Sequence, residues 1–200
     1  MEDIPAEVVR AAAGAAALWS GAPGVGAPAV LEADGLALLA APPPAWPAQL
    51  PALRRAELAV HAAAIAGWVA AYRSRSGGPA VLAVNGGQGS GKSTLAALVA
   101  VQLERRRGLR AAVLSLDDLY LPQAERQRLA RTLHPLFATR GVPGTHDPAL
   151  GVRVLEALTD GAGTVAVPAF DKARDDRRPE AAWRRVEAPV DVVLFEGWCV

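Results

Sequence analysis

Cysteine, histidine and net charge are all scarce in this chain of 200 residues. The one cysteine, Cys199, excludes an intrachain disulfide framework and a zinc site built from cysteines, and it fits a reducing compartment. The three histidines argue against a histidine-based metal cluster. A net charge of +1 gives no electrostatic footprint for nucleic acid or an anionic membrane, so a small-molecule partner is expected.

Targeting and membrane signals are also missing from the beginning of the sequence. Met1–Asp3 lacks the basic region of a secretory signal, and the alanine-rich residues 11–18 are too few to span a bilayer. We therefore expect a cytoplasmic protein. An apolar content of 52% can still form a sizeable core, which favours one α/β domain with an extension.

The first 78 residues predict two helices joined by an irregular segment. Helices are expected at residues 5–19 and 52–75, the second because apolar positions recur at near-helical spacing. Residues 20–51 are rich in proline and glycine and predict a wandering connection with one short element around 31–40. We predict an N-terminal helical extension, residues 1–78, packed on a second domain, residues 79–200.

A glycine-rich loop opens the second domain. It fits the pattern G-x-x-x-x-G-K-[ST] and consists of Gly86, Gly87, Gln88, Gly89, Ser90, Gly91, Lys92 and Ser93. Apolar residues 80–85 before it predict a buried parallel strand, and residues 94–103 after it, from Thr94 on, predict a helix. In that context the backbone N–H groups of the loop enclose nucleotide phosphates. The sequence therefore predicts a P-loop NTPase fold, with helices on both faces of a parallel sheet, and an ATP site.

Magnesium is the second cofactor that the loop predicts. Lys92 is expected to reach the β- and γ-phosphates, and the Ser93 hydroxyl to bind Mg²⁺. Enzymes of this type also place a carboxylate on the magnesium side of the site. Glu196 fits that role because it ends the apolar strand predicted at residues 190–196.

Two more acids follow the strand predicted at residues 111–116. Ligands of open parallel sheets bind outside the carboxyl ends of the strands, so Asp117, the first residue beyond this strand, should face the P-loop. We favour a functional role for Asp117 over a structural one. Asp118 can equally be a helix cap or a solvated turn residue.

Two polar loops provide further candidate contacts to a substrate. Residues 140–147 carry Arg140 and His146 on either side of two glycines and a proline. A charge-dense loop follows the third strand, which is predicted at residues 163–168. Such a run is usually a solvated surface, but this one follows a strand end. Lys172 and one or more of Arg174, Arg177 and Arg178 can therefore neutralise an anionic substrate or the transferred phosphoryl group.

The remaining elements complete the predicted α/β domain. One helix is expected at residues 121–133. A second should begin after Asp147, which caps it, and a short third is expected at residues 180–185. Only four strands are predicted, and parallel sheets of this kind usually continue. We therefore expect the sequence to be a fragment whose missing part holds a lid.

Several motifs together resemble one family, the plant- and fungal-type D-glycerate 3-kinases. These kinases belong to the wider group of pantothenate kinase, uridine kinase and phosphoribulokinase. The motifs are, in order, residues 86–94, 115–120, 140–147, 167–172 and 194–198. The sequence departs from the family at Leu119, where an aromatic residue is common, and at Ala169, where a basic residue is frequent.

The resemblance implies transfer of the γ-phosphoryl group of ATP to a hydroxyl of D-glycerate, a hydroxy acid. Asp117 matches the acid that accepts the hydroxyl proton, so Lys92, Asp117 and Glu196 are the expected catalytic residues. The expected substrate-binding residues are Asp118, Tyr120, Arg140, His146, Lys172 and Arg177.

Two other functions remain open at this point. One is phosphorylation of another small alcohol, by an enzyme like uridine kinase, pantothenate kinase or phosphoribulokinase. The other is a regulatory or metallochaperone GTPase with the same loop. Against the GTPase, Asn85 is the only asparagine, so the N-K-x-D signature of guanine recognition is absent from the sequence.

Overall fold

The computed structural model describes residues 4–44, 46 and 49–200. Met1–Asp3, on which the expectation about targeting partly depended, lies outside the described residues. The α-helices of the described part are α1 (Ala6–Ala17), α2 (Pro28–Ala40), α3 (Ala52–Ser76), α4 (Lys92–Arg107), α5 (Gln123–Thr132) and α6 (Pro148–Asp160). Its strands are β1 (Ala80–Asn85), β2 (Ala111–Ser115), β3 (Gly163–Val167), β4 (Phe170–Asp171), β5 (Asp176–Arg177), β6 (Arg184–Ala188) and β7 (Val192–Gly197).

A parallel sheet of order β1-β7-β2 forms the centre of the fold. Although β7 is the last strand in sequence, it lies in the middle and pairs with both others. Glu196 is opposite Val84 of β1 on one side and opposite Ser115 of β2 on the other. The carboxyl ends of the three strands therefore meet at one edge of the sheet, with Glu196 between the other two.

Helices cover both faces of this sheet, as the α/β prediction requires. Alternate residues of β7 point to opposite faces: Val192 and Leu194 pack with α3 and α4, and Val193 packs with α6. All three side chains are buried, which is typical of a central parallel strand. The expected three-layer α/β architecture is confirmed.

Several helix boundaries follow the signals in the sequence. The α4 helix ends at Gly108, which has a φ of 64°, after three arginines that suit the negative end of the helix dipole. The α6 helix begins with Pro148, and the Asp147 carboxylate accepts a hydrogen bond of 2.9 Å from the Leu150 N–H. Asp147 therefore has the capping role that its position before a proline predicts.

Two predictions about the strands after α6 are wrong. The third predicted strand, β3, does not join the parallel sheet but pairs antiparallel with β6. Residues 180–185, predicted as a helix, form a short 3₁₀ turn and then the start of β6. The physical reason is tertiary: Val186 packs into the apolar core under α6 while it pairs with Val165 of β3, and this overrides the helical preference of the charged residues.

The N-terminal helices pack into the same structure as the sheet. The predicted element around 31–40 is longer than expected, since α2 starts at Pro28 and buries Leu31 and Leu38. A side chain on Gly35 would lie 2.5 Å from the Val60 Cγ2 atom, so the glycine permits the close approach of α2 and α3. The α3 helix then packs on α4 and β1. The boundary near residue 78 stays a prediction.

A buried acid fastens α2 to the helix that follows the P-loop. Asp34 is 3% exposed, and its two carboxylate oxygens accept hydrogen bonds from Arg106 Nε at 2.7 Å and Arg107 Nη2 at 3.1 Å. The Gln102 side chain donates to the Asp34 carbonyl at 3.0 Å. A charge buried this deeply is stable only with such partners.

None of the helices in the described ranges combines the length and apolar character needed to cross a membrane.

We predict that Asp34→Asn lowers the free energy of unfolding by about 2 kcal/mol, because both arginines lose their buried anionic partner. The cost stays below that of a fully buried ion pair since Arg106 and Arg107 are partly exposed and water can solvate them. Urea denaturation measures the change. The matched control is Glu32→Gln on the same helix, and an equal effect of the two variants would contradict the role of Asp34.

Candidate active site

The P-loop connects the end of β1 to the start of α4 and has the backbone shape that holds phosphates. Gly89 and Gly91 adopt φ values of 73° and 87°, which side chains other than glycine rarely allow. A side chain on Gly86 would lie 2.9 Å from the Ser90 hydroxyl oxygen. No side chain caps the N-terminus of α4, so its first N–H groups and the helix dipole can bind an anion.

Lys92 and Ser93, at the start of α4, both contact Glu196. The Ser93 hydroxyl donates to Glu196 Oε1 at 2.9 Å, and Lys92 Nζ lies 3.9 Å from Glu196 Oε2. Glu196 is 3% exposed, and the described residues give its Oε2 atom no hydrogen bond. A buried carboxylate oxygen without a donor, beside a serine hydroxyl, fits a site for a hydrated Mg²⁺ ion, which prefers oxygen ligands.

Asp117 stands at the neighbouring strand end and is paired with a lysine. Its Oδ2 atom accepts a hydrogen bond of 2.7 Å from Lys172 Nζ, and its own N–H donates to the Ser115 hydroxyl at 3.3 Å. The Asp117 side chain is about one quarter exposed, so a ligand can reach it. The structure thus places Asp117 on the same edge of the sheet as the P-loop, as the sequence predicts.

Asp118 points elsewhere and has a structural contact. Its Oδ1 atom accepts a hydrogen bond of 2.8 Å from the Phe170 N–H at the start of β4. Burial raises the pKa of the Asp118 carboxyl above its usual value, although the Phe170 N–H opposes the rise and Asp117 adds to it. Asp118 was a candidate for substrate binding, but it is not among the residues that line the cleft.

A cleft of about 780 Å³ opens beside Asp117. Its walls come from the P-loop, the ends of β2 and β7, the segment before residue 142 and the β4–β5 turn. The lining residues are Gly87, Gln88, Asp117, Tyr120, Ala138, Thr139, Arg140, Gly141, Lys172, Asp175 and Trp198. The cleft therefore reaches from the phosphate loop to cations that can bind a second, anionic molecule.

An aromatic wall supports one side of the cleft. The rings of Tyr120 and His146 stack with their centroids 4.1 Å apart, and Trp198 lies 6.5 Å from His146. Burial lowers the pKa of the His146 imidazole, an effect that Asp117 partly offsets. His146 Nε2 is buried, and no described residue gives it a hydrogen bond. A neutral imidazole with an unused nitrogen can bind a substrate hydroxyl.

Arg140 enters the cleft above two aromatic rings. Its guanidinium carbon lies 5.1 Å from the centre of the Phe170 ring and 5.9 Å from that of Tyr120. Its Nε atom is 2.7 Å from Asp175 Oδ1. The side chain is 30% exposed, so the cation has a fixed position but remains open to a ligand.

Arg177, predicted to bind the substrate, has a different task in the structure. Its Nε donates to the Tyr120 carbonyl at 3.0 Å, and its terminal nitrogens reach the Leu119 carbonyl and the Asp147 carboxylate, each at 3.3 Å. It is 12% exposed and absent from the cleft lining. Arg177 holds the segment after β2 against the start of α6.

Three large or charged residues at or behind the cleft were not among the predicted site residues. Trp198 follows β7 and lines the cleft, and its position in the motif at 194–198 was the available signal. Asp175 lines the cleft within the charge-dense loop, where its neighbours gave it no distinguishing pattern. Arg126 is entirely buried behind them, and a lone arginine on a charged helix has no sequence signal of burial.

Comparisons with known proteins identify related kinases, although no family model matches the chain. The uncharacterized kinase mug58 of Schizosaccharomyces pombe is 39% identical over 132 residues, which are 62% of this chain and 47% of that protein. The chloroplastic D-glycerate 3-kinase of Arabidopsis thaliana is 38% identical over 130 residues, covering 60% of this chain and 28% of that protein. The resemblance to D-glycerate 3-kinases is confirmed.

The fold also resembles that of a D-glycerate 3-kinase. A solved structure of D-glycerate 3-kinase from Cryptococcus neoformans superposes with a TM-score of 0.60 at 32% identity, covering 69% of this chain and 52% of that one. Together with the geometry of the phosphate loop, this confirms the P-loop kinase fold. The chain spans about half or less of the length of the curated relatives it matches.

The contact of Asp118 predicts a contrast between two substitutions. Asp118→Ala should lower the free energy of unfolding by about 1 kcal/mol, because the Phe170 N–H loses its acceptor. Asp118→Asn keeps an acceptor oxygen without the charge. The wild type binds the Asp118 proton more tightly when folded, so it should lose stability relative to Asp118→Asn as pH rises above the ordinary carboxyl pKa of about 4.

Urea denaturation from pH 4 to pH 7 measures both effects. Asp160→Asn, at the exposed end of α6, is the matched control for removal of a carboxylate. A stability difference between wild type and Asp118→Asn that does not change with pH would contradict the burial of the charge.

Proposed function

We propose that the protein is an ATP-dependent kinase that transfers the γ-phosphoryl group to a hydroxyl of D-glycerate. The observation that carries the proposal is the cleft between the P-loop and Lys172, in which Asp117 stands at the strand end next to Glu196. The names of the relatives agree with a kinase, and two of them are D-glycerate 3-kinases.

The nucleotide would bind at the N-terminus of α4. The uncapped N–H groups of the loop and Lys92 neutralise the phosphates, and the Ser93 hydroxyl and Glu196 would hold Mg²⁺ together with phosphate oxygens. No group of three or more acids, histidines or cysteines in the described residues could hold a metal alone, which suits Mg²⁺ because that ion usually keeps waters and substrate phosphates as ligands. When bound, Mg²⁺ neutralises charge on the phosphates.

Asp117 would act as the general base. A hydroxyl oxygen of the acceptor attacks the γ-phosphorus, its proton passes to the Asp117 carboxylate, and the bond from the γ-phosphorus to the bridging oxygen of ADP breaks. Phosphoryl transfer depends mainly on positioning and charge neutralisation, so a carboxylate in the right place suffices. Lys172 is positioned beside this base and can neutralise charge on the acceptor or on the transferred group.

The acceptor would occupy the part of the cleft between Asp117 and Arg140. Arg140 and Lys172 are the cations on its walls, and a hydroxy acid has one carboxylate for them to bind. Lys172 and the P-loop Lys92 are the only lysines in the sequence. His146 is not among the residues that line the cleft, but it stacks on Tyr120, which lines it. Its buried Nε2 atom has no hydrogen bond from the described residues, so it is the candidate partner for a hydroxyl of the acceptor.

Neither alternative function gains support from the structure or the comparisons. A kinase of another small alcohol would use the same base and nucleotide site, so a substrate panel separates it from a glycerate kinase. A GTPase would not need the two cations opposite the P-loop. The named relatives are kinases.

The compartment proposed here is the cytoplasm, because the single cysteine fits a reducing environment. The Arabidopsis relative is named as chloroplastic, so localisation of a tagged full-length protein is the direct test.

We predict ADP formation that depends on D-glycerate and yields a phosphoglycerate. Lys92→Ala and Asp117→Asn should each lower kcat by about a hundredfold or more, because one removes a phosphate contact and the other removes the base. A coupled ADP assay measures the rate, and mass spectrometry identifies the product.

Asp160→Asn, which changes an exposed carboxylate at the end of α6, is the control and should retain full activity. Turnover of uridine or pantothenate without turnover of D-glycerate would reject the proposed acceptor. Full activity of Asp117→Asn would reject the proposed base.

A second prediction concerns Mg²⁺. Calorimetric titration of the wild type should show tighter ATP binding with Mg²⁺ than with EDTA. In Glu196→Gln this gain should fall by about tenfold or more, because the neutral amide no longer attracts the ion or its bound waters. Glu104→Gln, exposed on α4, is the matched control, and an undiminished gain in Glu196→Gln would show that Mg²⁺ does not use this carboxylate.

A further inference from the structure

A fully buried arginine lies behind the acceptor side of the cleft. Arg126 of α5 has no exposed surface. Its guanidinium donates to three backbone carbonyls, those of Leu121 at 3.2 Å, Ala138 at 2.9 Å and Asp175 at 2.5 Å. It therefore joins the start of α5, the segment before Arg140 and the turn between β4 and β5. Such a cation is held rigidly because every shift would break a buried hydrogen bond.

Asp175 connects this buried cation to the cleft. Its Oδ2 atom accepts a hydrogen bond of 2.9 Å from Arg126 Nη2, the same nitrogen that binds the Asp175 carbonyl. Its Oδ1 atom lies 2.7 Å from Arg140 Nε. One carboxylate thus bridges a buried arginine and an arginine of the cleft wall.

The backbone of Asp175 is also unusual. Its φ of 55° is the only positive value for a residue other than glycine in the described part of the chain. The left-handed conformation costs free energy for a residue with a side chain, and such residues cluster at functional sites. A glycine would adopt this turn more easily, so the turn alone does not explain an aspartate here.

We propose that Asp175 is a positioning residue that orients Arg140 for the anionic group of the acceptor. Because Asp175 engages Nε, the terminal nitrogens of Arg140 stay available to a carboxylate or phosphate in the cleft that Arg140 lines. Arg126 fixes the position of Asp175, because it binds both the backbone carbonyl and the carboxylate of Asp175. The identity of the acceptor rests on the proposed function, but the link between the three side chains does not.

The competing explanation is that Asp175 only shapes the β4–β5 turn. Asparagine and glycine both tolerate a positive φ. Asp175→Asn and Asp175→Gly therefore keep the turn and remove the charge that pairs with both Arg140 and Arg126. The Arg126 guanidinium keeps its three backbone carbonyl acceptors in both variants. If Asp175 serves the turn alone, both variants retain wild-type kinetics, and this result overturns the proposal.

A double-mutant cycle tests whether Asp175 acts through Arg140. We expect Asp175→Asn to raise the KM for D-glycerate by about tenfold and to change the KM for ATP by less than about twofold. In the background of Arg140→Ala, the same substitution should have no further effect on the KM for D-glycerate. Additive effects of the two substitutions would overturn the proposal. Asp171→Asn, on the same hairpin but paired with Arg174 and Arg178, is the matched control and should leave both KM values unchanged.

NMR of the arginine side chains tests the link without substrate. In Asp175→Asn the Nε–H signal of Arg140 should shift, because the carboxylate oxygen 2.7 Å from this nitrogen is lost. The Nε–H of buried Arg126, which donates to the Leu121 carbonyl, should remain protected and show that the fold is intact. Asp175→Gly provides the same comparison if the asparagine variant does not fold. An unchanged Arg140 signal overturns the proposal. Absence of D-glycerate turnover by the wild type would instead reject the proposed function. The NMR result would then still decide whether Asp175 orients Arg140.

Discussion

The nucleotide half of the cleft depends on one contact, the hydrogen bond from Ser93 to Glu196, which the central position of β7 makes possible. Glu196 is a nearly buried carboxylate at the end of an apolar strand. A charge in this position is costly unless cations or donors surround it. Here Ser93 and the more distant Lys92 are its partners, so the fold keeps a strong anionic site directly beside a loop built to bind phosphates.

The two halves of the cleft are built in different ways. The nucleotide half follows from strand pairing alone, because β1 leads into the P-loop and β2 leads to Asp117, on either side of Glu196. The acceptor half is formed by segments that lie outside the parallel sheet, and only the ends of β2 and β7 reach it. Its cations lie on irregular segments, and two arginines of low exposure, Arg126 and Arg177, hold these segments through backbone carbonyls. If the proposed acceptor binds here, its position would therefore be fixed by side chains that do not touch it.

This difference explains which parts of the structure the sequence could predict. The P-loop, its flanking strand and helix, and the acids Asp117 and Glu196 were recoverable because local patterns and one topological rule determine their places. The pairing of β3 with β6 was missed because it depends on contacts with α6 that no short window records. The structural contacts of Arg177 were not predicted, and Arg126 was overlooked, for a related reason. Most of their partners are backbone carbonyl groups, which every residue has, so no pattern of residue types marks such an arginine as structural.

Arginine and lysine have different tasks in the site, because one suits a rigidly held cation and the other an exposed, mobile one. Arginine has five donors in a planar fork, which suits Arg126 because it must satisfy several fixed acceptors at once. Lysine is a compact charge on a flexible chain, and Lys172 is 65% exposed where it meets Asp117. An ion pair this exposed contributes only about 0–1 kcal/mol. In the proposed mechanism Lys172 would therefore leave Asp117 for an incoming anion at little cost, and the Asp117 carboxylate would then be free to accept the proton of the acceptor hydroxyl.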